Sequence, residues 1–220
     1  MQIAIDGPAG AGKSTIAKRL AKESGYIYVD TGAMYRAMAL YLLRRGISAE
    51  DKAGIESACE DADISIKYID GEQNVILNGE NVNGLIRTQE VSNMASASSV
   101  NGKVRQKLVS LQQKLAESTD VVMDGRDIGT TVLPDAEVKI YLTASVKVRA
   151  KRRYDELIAK GEESDLKVIE QEIRERDERD MTREISPLKK ADDAIEVDTS
   201  DMSIEEVVNA INGIIKEHGR

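Results

Sequence analysis

The sequence is distinguished first by what it lacks. It contains no Trp and no Phe, a single Cys at position 59 and a single His at position 218. One Cys rules out an intrachain disulfide and a cysteine-rich zinc site. One His near the carboxyl end leaves little room for a Ser-His-Asp triad or a histidine-based metal centre. We therefore expect chemistry that uses Lys, Arg, Asp, Glu, hydroxyl groups, backbone amides and a bound ion, with Cys59 as a packing residue.

The net charge and the hydropathy pattern indicate which kinds of binding partner the protein can have. The 220 residues include 31 Lys and Arg against 39 Asp and Glu, a net charge of −8. Such a balance counts against nucleic-acid binding, and the lack of Phe and Trp removes the usual platforms for base stacking. No uncharged run approaches the roughly 20 residues of a membrane helix, and the first residues carry no basic, apolar leader. We expect a cytoplasmic protein with no membrane partner.

Short apolar runs alternate with longer helical patterns, as is typical of parallel βαβ units. The runs that predict strands are residues 2–5, 26–29, 121–123, 138–142 and 194–197. Clear helical patterns cover residues 14–24, 33–45 and 145–160, and a capping pair, Ser203 and Glu206, opens the last helix. The pattern predicts an α/β fold with a five-stranded parallel sheet flanked by helices.

One segment departs from this alternation. Apolar residues alternate with polar ones between residues 64 and 82, and the dipeptides Asp70-Gly71 and Asn78-Gly79 are turn formers. We predict a small antiparallel sheet inserted into the parallel architecture, here called the β insert and placed at about residues 64–86.

A phosphate-binding loop follows the first predicted strand. Residues 7–15 read Gly-Pro-Ala-Gly-Ala-Gly-Lys-Ser-Thr and match the P-loop pattern, with a strand before them and a helix after them. Glycines let the backbone N–H groups turn toward an anion, and the helix N-terminus adds positive potential. Lys13 is expected to reach the β- and γ-phosphates of a nucleoside triphosphate, and Ser14 to ligate Mg²⁺.

A P-loop does not identify the second substrate, because it serves GTPases, motors and kinases alike. The Asn-Lys-x-Asp motif typical of guanine-specific P-loop proteins is missing from the sequence. That weakens the hypothesis of a nucleotide-binding regulatory switch without removing it. Modification of nucleic acid is a third hypothesis, and it conflicts with the net charge.

Two further predicted strands end in polar residues, where a parallel sheet opens toward its ligands. The second strand runs into Asp30-Thr31-Gly32 and then Arg36, and the third into Asp124. A carboxylate beside a P-loop is typical of a Walker B aspartate, so we expect Asp124 to share Mg²⁺ with Ser14.

Arginines are concentrated in residues 149–187. Arg176, Arg179 and Arg183 have the i, i+3, i+7 spacing that predicts one helix face, and more basic residues lie at 149–153. A solvated helix face is the ordinary interpretation of such a run. Phosphoryl transfer, however, needs movable positive charge that also excludes water, so we predict a helical, arginine-rich lid.

Several of these motifs together closely resemble bacterial cytidylate kinases, in the order in which that family carries them and over nearly the whole chain. The matching stretches are residues 6–14, 30–36 (Asp-Thr-Gly-Ala-Met-Tyr-Arg), 87–91 (Arg-Thr-Gln-Glu-Val), 124–129 (Asp-Gly-Arg-Asp-Ile-Gly), 176–180 (Arg-Asp-Glu-Arg-Asp), Arg183 and 186–188. The resemblance implies a P-loop kinase that transfers the γ-phosphoryl group of ATP to CMP or dCMP with Mg²⁺.

The resemblance also implies site residues. Catalytic roles go to Lys13, Arg126, Arg179 and Arg183. ATP contacts go to Gly7, Pro8, Ala9, Gly10, Ala11, Gly12, Lys13, Ser14, Thr15 and Arg153. CMP contacts go to Thr31, Arg36, Ser96, Arg105, Arg126, Asp127, Arg176, Asp180 and Arg183. Metal ligands are Ser14 and Asp124. At position 31 some members of the family have Ser, and the hydroxyl is retained here as Thr31.

The resemblance further implies one kinase unit over residues 1–220 with three parts. These are a core of residues 1–35, 111–148 and 188–220, a monophosphate-binding region of residues 36–110 and a lid of about residues 149–187. We expect a monomer, because both substrate sites fit within one chain. Seven arginines are expected to converge on one cleft: Arg36, Arg105, Arg126, Arg153, Arg176, Arg179 and Arg183.

A monophosphate acceptor would account for the scarcity of His. Its second pKa is roughly 6, so it is mostly a dianion at neutral pH and needs no general base. The sequence leaves open a P-loop kinase for UMP or another small phosphorylated acceptor.

Overall fold

Parallel strands and helices alternate along most of the chain, as the apolar pattern predicts. The computed structural model describes residues 1–69 and 71–218. The strands are β1 (Gln2–Asp6), β2 (Ile27–Asp30), β3 (Ile64–Ile69), β4 (Glu72–Leu77), β5 (Glu80–Asn81), β6 (Val121–Gly125), β7 (Val138–Thr143) and β8 (Ile195–Asp198). The helices are α1 (Lys13–Ser24), α2 (Thr31–Arg44), α3 (Lys52–Asp61), α4 (Gln89–Ser98), α5 (Gly102–Ala116), α6 (Val146–Ala159), α7 (Leu166–Thr182) and α8 (Ile204–His218). A π-helical turn covers Ile128–Val132.

The main sheet has the order β2-β6-β1-β7-β8, with β1 at its centre pairing in parallel with β6 and β7. The smaller sheet is β3-β4-β5 and antiparallel. The predicted five-stranded parallel sheet and the predicted β insert are both confirmed. Each predicted strand of the main sheet lies within one or two residues of its observed bounds.

The chain forms two compact units. The first unit comprises Met1–Tyr28 and Thr119–Arg220, of which the last two residues are not described, and the second comprises Val29–Ser118. Each unit has its own apolar core.

The core of the first unit is the sheet, covered by helices. Ile3, Ile5 and Leu142 of the central strands are almost completely buried, and they pack with Leu20 of α1 and Ile211 of α8. Coverage of the sheet on both faces explains why these strands are continuous apolar runs in the sequence. The capping pair that opens α8 forms as predicted: Ser203 N–H donates to Glu206, and Glu206 N–H donates to the Ser203 hydroxyl.

The core of the second unit is built on α2. Met34, Met38 and Leu42 recur every four residues, so they form one buried face of the helix. Cys59 of α3 is buried in the same core, which confirms its predicted packing role.

A two-residue turn joins β4 and β5 of the β insert. Asn78 and Gly79 both adopt left-handed φ angles, 48° and 85°, as a two-residue hairpin turn between β4 and β5 requires. Asp70, at the other predicted turn, lies outside the described residues.

The predicted lid lies in the first unit as the pair α6 and α7. The two helices pack through a small apolar cluster that includes Ala150, Ile169 and Ile173. Across residues 1–69 and 71–218, no helix combines the length and the apolar character that a membrane crossing demands.

Candidate active site

The loop between β1 and α1 has backbone angles that require glycine. Gly7, Gly10 and Gly12 have φ angles of 148°, 77° and 94°. A Cβ atom on Gly7 would stand 1.9 Å from the carbonyl oxygen of Leu142 in β7, so no other residue fits there. Gly12 precedes the first turn of α1 without a capping side chain, and the amides of that turn keep the character of an anion site.

Lys13 begins α1 and is buried, with its Nζ donating a hydrogen bond to the carbonyl oxygen of Pro8 at 2.7 Å. Burial lowers the pKa of Lys13, and the positive charges of Arg126 and Arg176 lower it further. A polyphosphate bound in the loop would oppose that shift, because an adjacent anion favours the charged ammonium.

Ser14, Asp124 and Tyr28 form a group of oxygen atoms beside the loop. The Ser14 hydroxyl donates to Asp124 Oδ2 at 3.0 Å, and the Tyr28 hydroxyl donates to Asp124 Oδ1 at 2.9 Å. Asp124 lies in β6 and is buried. The predicted metal ligands, Ser14 and Asp124, are thus within hydrogen-bond distance of each other, and Tyr28 orients the carboxylate.

This donor set fits Mg²⁺. Hydroxyl and carboxylate oxygens are ligands that Mg²⁺ takes, and it is commonly bound through one or two carboxylates together with substrate phosphates and waters. The described ranges, 1–69 and 71–218, contain no group of three or more His, Cys, Asp or Glu side chains placed to hold a metal ion. An ion here would therefore rely on substrate phosphates for much of its coordination.

Asp6, the last residue of β1, holds the turn that follows β6. Its two carboxylate oxygens accept hydrogen bonds from the backbone N–H groups of Ile128 and Gly129, each at 2.8 Å. Burial raises the pKa of Asp6 to about 6, although both N–H groups act in the opposite direction. The carboxylate therefore fixes the backbone directly after Arg126 and Asp127.

Arg126 points toward the end of α7. Its Nε donates to Asp180 Oδ2 at 2.8 Å. Burial disfavours charge on both groups, but the attraction between them prevails. It raises the pKa of Arg126, and Arg126, Arg176 and Arg183 together lower the pKa of Asp180. Three arginines therefore surround one buried carboxylate, and Arg126 and Arg176 also act on Lys13.

Arg183 corrects one prediction. The i, i+3, i+7 spacing places it on the same helix face as Arg176 and Arg179, but α7 ends at Thr182 and Arg183 has extended angles of φ −60° and ψ 142°. The departure redirects its side chain. Arg183 Nε donates to the carbonyl oxygen of Ser186 at 2.7 Å, and its guanidinium lies 3.6 Å from the Asp127 carboxylate. Arg183 therefore lies beside Asp127, just after the end of β6, and not on the helix face of Arg176 and Arg179.

Arg149 is the buried member of the basic run at residues 149–153. Its guanidinium makes two hydrogen bonds to Asp177 of α7 and one to the carbonyl oxygen of Ala9 in the loop, while Nε donates to the carbonyl oxygen of Ala144. A Cβ atom on Gly10 would lie 3.3 Å from Arg149 Cβ. Arg149 therefore ties the phosphate-binding loop to both helices of the predicted lid.

The other lid arginines have different settings. Arg153, on α6, pairs with Glu156 one turn away at 3.3 Å, and Arg179 lies on the exposed side of α7. Arg176 is half-buried near Asp180. The structure thus brings Arg126, Asp127, Arg176, Asp180 and Arg183 together around the end of α7. It places Arg153 and Arg179 on the outer parts of the two helices.

In the second unit, Asp30 organises the start of α2. Its Oδ1 accepts the N–H of Ala33 at 2.9 Å as the helix cap, and its Oδ2 accepts Arg36 Nη2 at 2.9 Å. The helix therefore starts at Thr31, two residues earlier than predicted, and Thr31 is buried in its first turn. Arg36 Nε is buried and finds no acceptor within the described part of the chain. A buried N–H group of this kind is a ready donor for an anionic ligand.

Arg105 and Ser96 lie on the following helices of the second unit. Arg105, on α5, is buried, donates to the carbonyl oxygen of Ser99 at 3.3 Å and stacks its guanidinium 5.6 Å from the Tyr35 ring centre. Ser96, on α4, is also buried. Buried polar groups of this kind are able to read the polar edge of a ligand.

Four residues that build these sites escape prediction from the sequence. The patterns assign Tyr28 and Asp6 to strands and their ends, Asp177 to a charged helix face and Gln73 to the β insert. Their hydrogen-bond partners lie 28 to 122 positions away along the chain. The one local signal is that of Asp6, which directly precedes the loop motif.

Comparisons with known proteins agree on one family. The family model described as "Cytidylate kinase" matches residues 3–217. A cytidylate kinase of Ligilactobacillus salivarius (strain UCC118) is 53% identical over 217 residues, covering 99% of this chain and 97% of the relative. A cytidylate kinase of Geobacillus sp. (strain WCH70) is 51% identical over 217 residues with the same coverage.

A comparison of folds gives a more distant likeness. The crystal structure of an uncharacterized protein from Eubacterium ventriosum ATCC 27560 matches with a TM-score of 0.53 and 14% sequence identity, over 100% of this chain and 99% of that one. At this level of identity the likeness concerns the fold alone.

Proposed function

This chain belongs to the cytidylate kinase family, a family of ATP-dependent phosphotransferases, and from that premise we propose how its residues transfer the γ-phosphoryl group of ATP to CMP or dCMP. The products are CDP or dCDP and ADP. One observation carries the proposal: buried Lys13 follows strand β1, and the end of the neighbouring strand β6 leads into Arg126 and Asp127, which pair with Asp180 and Arg183. A cationic group of this kind suits two polyanionic substrates.

The donor site is the loop from Gly7 to Thr15. Its backbone amides and Lys13 hold the β- and γ-phosphates, and in doing so Lys13 exchanges the carbonyl of Pro8 for phosphate oxygens. Arg153 and Arg179 reach the donor phosphates from the two lid helices. Arg149 keeps the loop and the lid helices in register through Ala9 and Asp177.

The acceptor requires no general base. Its phosphate is mostly a dianion at neutral pH, so the enzyme has to align it with the γ-phosphoryl group and relieve their repulsion. Arg36, Arg126 and Arg183 hold that phosphate. The buried Arg36 Nε supports this assignment, because the group has hydrogen-bonding capacity to spare.

Nucleoside recognition uses polar groups from the remaining assigned residues. Thr31, Arg105 and Asp127 read the cytosine edge. Ser96, Arg176 and Asp180 contact the sugar. The burial of Thr31, Ser96, Arg105, Asp127 and Asp180 supports these roles, since buried polar groups left unpaired by a wrong ligand penalise its binding.

Mg²⁺ fits the pair Ser14 and Asp124, which would hold it with Tyr28 orienting the carboxylate. Bound there with ATP, the ion would neutralise charge on the β- and γ-phosphates. Lys13 on the ATP side and the three acceptor arginines contribute positive charge and alignment independently of the ion.

We also propose a three-part organisation within one kinase unit: a core, a monophosphate-binding region with the β insert, and the lid of about residues 149–187. The enzyme acts as a monomer, because the assigned ATP and CMP residues all belong to one chain. It works in the cytoplasm, where ATP and CMP are available.

A panel of acceptors tests the activity. ADP release is followed with ATP, Mg²⁺ and either CMP, dCMP, UMP or AMP. We expect CMP and dCMP to be phosphorylated with a kcat/KM well above that of UMP and AMP. Equal rates with UMP would favour the alternative of a kinase for another small phosphorylated acceptor. Tight retention of nucleotide without acceptor-dependent ADP release would favour a regulatory switch.

A further inference from the structure

The β insert contacts the start of α2 through the side chain of Gln73. Gln73 Oε1 accepts the backbone N–H of Asp30 at 2.8 Å, and Gln73 Nε2 donates to the backbone carbonyl of Asp30 at 3.2 Å. Gln73 lies in β4 and Asp30 is the last residue of β2. One side-chain amide therefore makes the pair of hydrogen bonds that a neighbouring strand would otherwise make.

Asp30 transmits this contact to the acceptor residues. Its carboxylate caps α2 and pairs with Arg36 at 2.9 Å, and it also lies 3.7 Å from Arg87. Thr31 follows it directly. Space here is tight, because a Cβ atom on Gly32 would lie 3.1 Å from Arg36 and 3.2 Å from Asp30. A small displacement of the Asp30 backbone would therefore move both Thr31 and the guanidinium of Arg36.

Gln73 is itself held in place by the β insert. Asn83 Nδ2 donates to the backbone carbonyl of Gln73 at 2.9 Å, and Asn83 Oδ1 accepts the N–H of Val75 at 2.9 Å. The contact is thus an extension of the ordered antiparallel sheet, with Asn83 supporting Gln73 and Gln73 supporting Asp30.

We propose that Gln73 is a positioning residue for the phosphoryl acceptor, through which the β insert sets the place of Thr31 and Arg36. The inference rests on the proposed function, because it assumes that these two residues bind CMP. The β insert thereby acquires a defined role. Gln73 acts on the acceptor side of the reaction through the Asp30 backbone and has no part in holding ATP.

The test is the variant Gln73→Met, which keeps the length and unbranched shape of the side chain and removes both hydrogen bonds. Because two hydrogen bonds that fix the Asp30 backbone are lost, we expect the KM for CMP to rise about tenfold. The KM for ATP and the kcat at saturating CMP should stay within about twofold of wild type. Gln73→Glu keeps an acceptor for the Asp30 N–H but sets a second oxygen against the Asp30 carbonyl, so it should raise the KM for CMP at least as much as Gln73→Met does.

Two further variants sharpen the test. Asn83→Ala removes the hydrogen bond that Asn83 donates to the backbone carbonyl of Gln73 but leaves both contacts between Gln73 and Asp30. It should therefore raise the KM for CMP by less than Gln73→Met does. Glu72→Ala, an exposed neighbour on the same strand, is the matched control and should leave both KM values unchanged. Thermal unfolding of each variant establishes that it is folded, and calorimetry gives the Kd of CMP in the absence of ATP.

The outcomes are distinguishable. A wild-type KM for CMP in folded Gln73→Met overturns the inference. So does an equal rise in the KM for CMP and for ATP, because a general loss of order would affect both substrates. If the wild-type enzyme does not phosphorylate CMP at all, the proposed function fails first. If it does and Gln73→Met resembles it, the proposed function stands and this inference alone is wrong.

Discussion

The guanidinium of Arg149 binds the carboxylate of Asp177 with both of its terminal nitrogens, at 3.0 Å from Nη1 to Oδ1 and 2.5 Å from Nη2 to Oδ2. Nη1 also donates to the carbonyl oxygen of Ala9 at 3.0 Å. Since α7 carries Arg176, Arg179 and Asp180 on the turns beside Asp177, this one buried pair joins the phosphate-binding loop to the helix that bears the lid arginines.

Loss of that pairing is expected to weaken the fold and the ATP site together. Arg149→Lys keeps the charge but cannot form the planar fork, and the buried Asp177 carboxylate loses partners. We expect a fall of about 2 to 4 kcal/mol in the free energy of unfolding. The KM for ATP should rise more than that for CMP. Urea unfolding and two-substrate kinetics measure both.

Arg174→Ala provides the control on α7, the helix that carries Asp177, because Arg174 is exposed and lies 3.9 Å from Glu170. It should change neither the free energy of unfolding nor the KM for ATP by more than a small amount. Arg149→Lys with wild-type values for both quantities would contradict the role assigned to the pair.

Arg126 and Arg183 are expected to act chiefly in the transition state. Arg126→Ala or Arg183→Ala should lower kcat by roughly 10³-fold, the scale of a lost arginine in phosphoryl transfer. Asp180 retains two of the arginines that lower its pKa in either variant, so we expect the folded state to persist. Rapid-quench kinetics at saturating ATP and CMP measure the effect, and melting curves check the fold. A near-normal rate in either variant would refute its assigned role.

The donor set of Ser14, Asp124 and Tyr28 predicts a graded dependence on magnesium. Asp124→Asn should raise the Mg²⁺ concentration for half-maximal rate strongly, because a charged oxygen ligand is replaced by a neutral amide. Tyr28→Phe removes one hydrogen bond to Asp124 and should raise it only a few-fold. Tyr26→Phe is a control on the same stretch of chain, since its hydroxyl contacts Met1. An unchanged Mg²⁺ dependence in Asp124→Asn would exclude Asp124 as a ligand.

Much of the fold could be predicted because its signals are local. The phosphate-binding loop is specified by a short stretch of chain in which Gly7, Gly10 and Gly12 have φ angles that only glycine adopts easily. The hairpin at Asn78 and Gly79 is specified by two adjacent residues. Strands that are buried on both faces appear in the sequence as continuous apolar runs. Helix α1 ends where Gly25 adopts a left-handed angle of 72°.

The rest of the site depends on partners far apart in sequence. Arg149 and Arg153 look alike in one basic run, yet one is buried against Asp177 and the other pairs with Glu156 on the surface. Nothing local distinguishes them, since burial is decided by how α6 packs on α7. Arg183 shows the converse: helical spacing predicts a shared face, but an attraction to Asp127 outside the helix accompanies the end of α7.

Asp6 gives the last prediction, and it concerns pH. Its folded-state pKa is raised to about 6 from an ordinary value of 3.8. Between these values the folded state therefore binds more protons at this site than the unfolded state does. The contribution of Asp6 to stability must then fall as pH rises from about 4 to about 6, by up to about 3 kcal/mol, and stay constant above about 7.

Asp6→Asn isolates this contribution, because the amide does not titrate in the same range. Urea unfolding at several pH values from 4.5 to 7.5 measures the difference in unfolding free energy between wild type and Asp6→Asn. We expect the unfolding free energy of the wild type to fall relative to that of Asp6→Asn as pH rises toward 6. The difference between the two should level off above pH 7. The variant should also lower kcat at pH 7.5, since an amide can accept only one of the N–H groups of Ile128 and Gly129 without opposing the other. A difference that stays flat over this interval would mean that the two N–H groups outweigh burial and hold the pKa of Asp6 at or below its ordinary value.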